Sequence, residues 1–134
     1  MLEWSFTPSK TPKMGNRKVL AVVEDLFFSV KINESAKRSG LSVEFVKSEL
    51  DALEKARTRP ALIIIDLNFD RIEPLKLIVQ LKAGDDTKGI NVLGYVSHVQ
   101  GELKQQAQEA GCDMVLARSA FSQNLPQILK RHAS

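Results

Sequence analysis

Four charged residues stand directly after apolar runs of strand length. Glu24-Asp25 follow Val19–Val23, Asp66 follows Ala61–Ile65, and Arg118 follows Met114–Ala117. Val96 and Ser97 close a further run that starts at Ile90. If neighbouring strands carry these ends to one place, three carboxylates and one cation share a crevice. Three carboxylates are costly to bring together out of water unless a cation neutralises them. Mg²⁺ is the natural candidate, because it takes hard oxygen ligands and shares its octahedron with water and phosphate oxygens.

The elements that would position them alternate. Val19–Val23 reads as a strand covered on both faces. Phe28, Ile32 and Ala36 then recur at helical spacing, with Gly40 as the stop. Val43–Val46 is a second, weaker strand, and Ser48 caps a helix whose face is Leu50, Leu53 and Ala56, closed by Pro60. Ala61–Ile65 is the strongest strand, followed by a helix carrying Leu75, Ile78, Val79 and Lys82 up to Gly84. Ile90–Val96 is the fourth strand, Glu102–Ala110 a polar helix, and Met114–Ala117 the fifth strand. A last helix is expected with Asn124 as its cap and Pro126 in its first turn. Five βα units predict an α/β domain: a five-stranded parallel sheet with helices on both faces. In such sheets sites form at the carboxyl ends of the strands, where the four charged residues stand.

With this arrangement the chain from about Lys18 to His132 resembles the receiver domain of two-component response regulators, a flavodoxin-like (βα)₅ fold. The family's acidic pair is matched by Glu24-Asp25, and its phosphoacceptor by Asp66 in Pro60–Asn68. The resemblance implies Mg²⁺ on Glu24, Asp25, Asp66 and the backbone carbonyl of Asn68, with phosphoryl transfer from a histidine kinase to Asp66. Gly111–Arg118 is similar to the glycine-led fifth strand, with Arg118 where the family has Lys. Arg118 then senses phosphate, or neutralises the crevice in a salt bridge with Asp66.

The departures fall on the phosphate and the switch. Val96 stands at the hydroxyl position, with Ser97 one residue later; Ser119 replaces a Pro, Val115 the switch aromatic, and Asp70-Arg71 a Pro-Gly. A hydroxyl donating to a charged phosphate contributes about 1.5–3 kcal/mol, so its loss at Val96 weakens a phosphorylated state unless Ser97 replaces it. A guanidinium fork does not take the same contacts as an ammonium. His98 is expected at a loop or helix cap, His132 in solvent, and Cys112 as a buried thiol.

The 134 residues carry 19 Lys+Arg and 16 Asp+Glu, a net charge of +3. Residues 1–18 hold the whole excess, with Lys10, Lys13, Arg17 and Lys18 against Glu3. The remainder is neutral, which argues against a nucleic-acid-binding domain and leaves affinity for polyanions to the arm. Residues 1–17 read as a basic arm and 18–134 as one domain with no output domain after it. Apolar residues at 43% and charged at 26% are ordinary globular values, a single Cys allows no internal disulfide, and no apolar run nears the roughly 20 residues that span a bilayer. A cytoplasmic setting fits. Nucleotide-loop, zinc-protease and nucleophile-elbow motifs are missing, so an enzyme is not expected. Three functions stay open: a stand-alone receiver signalling through a histidine kinase or another signalling protein, with a homodimer as one form; a phosphorylation-independent pseudo-receiver; and an adaptor whose arm, carrying Trp4 and Phe6, meets nucleic acid or membrane.

Overall fold

A computed structural model describes residues 17–97 and 101–133. Residues 1–16 of the arm and His98 therefore lie outside the described residues. Five strands alternate with five helices: β1 (Lys18–Val22), α1 (Leu26–Arg38), β2 (Ser42–Val46), α2 (Glu49–Ala56), β3 (Leu62–Asp66), α3 (Pro74–Ala83), β4 (Val92–Val96), α4 (Gly101–Ala110), β5 (Met114–Ala117) and α5 (Arg118–Ala133). All strand pairs are parallel, in the order β2-β1-β3-β4-β5.

Alternation along the strands builds two cores. Leu20, Val22, Ile63, Ile65, Val92 and Val96 pack with α2, α3 and α4 on one face. Val19, Ala21, Ile64, Leu93 and Tyr95 pack with Phe28 and Ile32 of α1 and Phe121 and Leu125 of α5 on the other. This two-sided burial explains the uninterrupted apolar runs. Asp66 follows Ile64 in the alternation and is the register partner of Tyr95, so both belong to the α1/α5 face.

Local signals set the element ends. Ser48 accepts from the Asp51 amide and caps α2. Gly40, with φ at +77°, supplies the left-handed turn after α1. Three expectations change. The α2 face keeps Leu53 and Ala56 and adds Ala52, while Leu50 is turned to solvent at 77% exposure, because Leu50 and Ala56 lie well apart around a 3.6-residue turn. The last helix begins six residues before Asn124, directly after β5, and Pro126 sits inside it. Phe121 and Leu125 extend its buried face, and Asn124 donates to the Ala120 carbonyl instead of capping. His132 is not simply solvated: its ring nitrogens meet the Ile128 carbonyl at 2.8 Å and the Asn91 side chain at 3.3 Å.

Candidate functional site

The strand ends place Glu24, Asp25, Asp66, Ser97 and Arg118 along one edge of the sheet, after β1, β3, β4 and β5. Asp25 is the N-cap of α1: one carboxylate oxygen accepts from the Phe28 amide at 3.3 Å. Its other oxygen is bonded by the Arg118 guanidinium. That guanidinium lies 4.6 Å above the centre of the Phe28 ring, a cation–π contact. Phe28 in turn packs on Tyr95 at 5.1 Å and on Phe121 at 5.9 Å, and Tyr95 stacks on Phe121 at 4.6 Å. Arg118 and Asp25 are thus fixed to one aromatic wall.

Glu24 pairs with Arg71 at 3.2 Å, and both side chains reach solvent. The expected salt bridge between Arg118 and Asp66 is replaced by the one to Asp25. Asp66 makes no ion pair among the described residues; one oxygen accepts from the Asn68 amide at 2.9 Å. Desolvation pushes its carboxyl above the usual range, against the Asn68 bond and Arg118, and Asp25 and Glu24 add to the rise. The Asn68 side-chain oxygen accepts from the Ser97 amide at 2.7 Å, tying the ends of β3 and β4 together. Val96 is buried with the α2–α4 core, facing away from Asp66 and Tyr95. Burial pushes the Tyr95 hydroxyl upward, and Asp66 and Asp25 add to that against Arg118, which places it in the field of the crevice.

These donors do not fit a divalent cation as they stand. Both Asp25 oxygens are engaged, Glu24 has its own guanidinium, and among the described residues no three His, Cys, Asp or Glu side chains are grouped to hold a metal. Arg71, Phe28 and Tyr95 are the members that sequence reading missed. Arg71 had a signal, as a cation where a Pro-Gly is usual, whereas Phe28 read only as a core position. A cavity of about 490 Å³ opens beside Arg118 between Phe27, Phe28, Ser97 and Ser122. A larger one of about 730 Å³ lies around Arg17, Arg59, Asn91 and His132, none of them a residue of this crevice.

No protein-family model matches the chain. It is 24% identical over 103 residues to the polar-differentiation response regulator DivK of Brucella anthropi, covering 75% of this chain and 84% of that one. Its fold is similar to that of a response regulator from Hahella chejuensis, with TM-score 0.77, 18% identity and coverage of 86% and 93%. It is also similar to the chemotaxis response regulator CheY4 of Vibrio cholerae, with TM-score 0.74, 23% identity and coverage of 86% and 97%. The Mn²⁺-bound form of response regulator Rcp1 superposes with TM-score 0.70 at 19% identity, over 85% of this chain and 89% of that one. The described residues therefore have the fold of response-regulator receiver domains, and over 103 residues the chain is similar in sequence to one response regulator.

Proposed function

We propose that this chain is a signalling module whose receiver domain is recognised by a partner protein in one fixed conformation, without phosphoryl transfer to Asp66. The observation that carries the reading is the bond from Arg118 to Asp25. It takes the cation at the end of β5 away from Asp66 and takes Asp25 away from any other ligand. The rest of the crevice agrees. Val96 presents no hydroxyl, and Val115, also buried, stands where a swinging aromatic would report a change at the site.

The partner belongs to the signalling proteins that receivers meet, histidine kinases among them, and what it reads is surface rather than a reaction product. No helix among the described residues is long and apolar enough to cross a membrane. A cytoplasmic setting and a domain starting near Lys18 belong to the same proposal.

A second reading, Asp66 as a working phosphoacceptor, is favoured by one observation: its carboxylate is unpaired among the described residues at the end of β3. One experiment decides between them. The intact protein is incubated with acetyl phosphate and either Mg²⁺ or Mn²⁺, then weighed. The fixed-state reading expects an unchanged mass. Addition of one phosphoryl group, lost in Asp66→Asn, refutes it and establishes the second.

A further inference from the structure

The crevice contains its own counter-ions. Asp25 holds the first turn of α1 through one oxygen and Arg118 through the other, and the ring beneath Arg118 belongs to Phe28, the residue whose amide Asp25 caps. The guanidinium is therefore held by charge, by hydrogen bonding and by a π face at once. Its backbone is fixed as well, since Arg118 opens α5 with no linker after Ala117 of β5. Arg71 on Glu24 is a looser copy of the same device, with its side chain 73% exposed. An arginine fork matches a carboxylate in a plane, whereas Mg²⁺ demands near-octahedral oxygen and sheds its water reluctantly. A divalent ion entering here must displace a guanidinium that both Asp25 and the Phe28 ring hold.

We infer that Arg118 is the resident counter-ion of Asp25 and stands in place of a divalent cation, so that this receiver keeps its acidic crevice neutralised without metal. The inference rests on reading this crevice as the functional site, but not on the outcome of phosphoryl transfer. Asp25 decides it, because the exposed Glu24–Arg71 pair is open to exchange.

Calorimetric titration of the full chain with MnCl₂, without phosphodonor, tests it. The wild type gives no saturable binding. Arg118→Ala and Arg118→Met, each checked for folding by circular dichroism, bind Mn²⁺ at least about tenfold more tightly, and the added substitution Asp25→Asn abolishes the gain. Saturable binding by the wild type overturns the inference, and the wild-type titration alone suffices for that. Failure of the folded Arg118 variants to gain affinity overturns it too. A phosphoryl adduct on a wild type that binds no Mn²⁺ would refute the proposed function and leave this inference standing. Wild-type Mn²⁺ binding with no adduct would do the reverse.

Discussion

Replacing Arg118 by Ala and Asp25 by Asn, singly and together, measures whether the bond between them holds the crevice. Asparagine caps a helix as well as aspartate does, so Asp25→Asn removes the charge and keeps the start of α1. The two side chains are 38% and 30% exposed, so a charge-assisted bond that would contribute about 1.5–3 kcal/mol when buried is discounted for solvent screening to about 1 kcal/mol. Arg118→Ala also loses the contact with the Phe28 ring, a further ~0.5–1 kcal/mol. Expected costs are therefore about 1 kcal/mol for Asp25→Asn and about 1.5–2 kcal/mol for Arg118→Ala, with a coupling of about 1 kcal/mol in the double mutant. Urea denaturation supplies all four stabilities, and each kcal/mol corresponds to roughly 3–5 °C in melting temperature for a domain of this size. A coupling below about 0.3–0.5 kcal/mol, the level at which independent sites add, would show that the two side chains do not hold each other.

Two other outcomes follow from the neighbours of this pair. Asp66 has a raised carboxyl, chiefly through desolvation. As pH rises, the unfolded chain loses this proton first, so the contribution of Asp66 to stability falls between the ordinary carboxylate range and the raised folded value and stays low above it. Asp66→Asn, which still accepts from the Asn68 amide, is expected to melt higher than wild type at neutral pH, with the difference vanishing in acid; a lower melting temperature at neutral pH would contradict this. Gly94 leaves no room for a Cβ, which would meet the Cγ and Cδ1 of Leu67 at 2.9 Å. Gly94→Ala should cost about 1–3 kcal/mol in denaturant unfolding, since buried Leu67 must shift directly beside Asp66; an unchanged midpoint would show that β3 and β4 approach less closely than described.

Much of this fold was written in local patterns. The runs Val19–Val23 and Ala61–Ile65 could only be strands buried on both faces, and Ser48 and Gly40 mark helix ends by chemistry that acts within a few residues. Alternation also brought Glu24, Asp25, Asp66 and Arg118 to one edge. What escaped was which partner each would choose. Arg118 and Asp25 are far apart in the chain, and their bond depends on a ring wall of Phe28, Tyr95 and Phe121 drawn from three different elements. The start of α5 was misplaced for a related reason: Asn124 and Pro126 carry a local start signal, and the buried Phe121 and Leu125 outweigh it.

On the inference above, a guanidinium and not a divalent ion neutralises Asp25. Backbone amide NMR of the wild-type chain during addition of paramagnetic Mn²⁺ tests it most directly. The amides of Asp25, Phe28, Asn68, Ser97 and Arg118 are expected to keep their intensities as well as the rest of the domain does. Selective loss of those signals at low Mn²⁺, ahead of other amides, would contradict it.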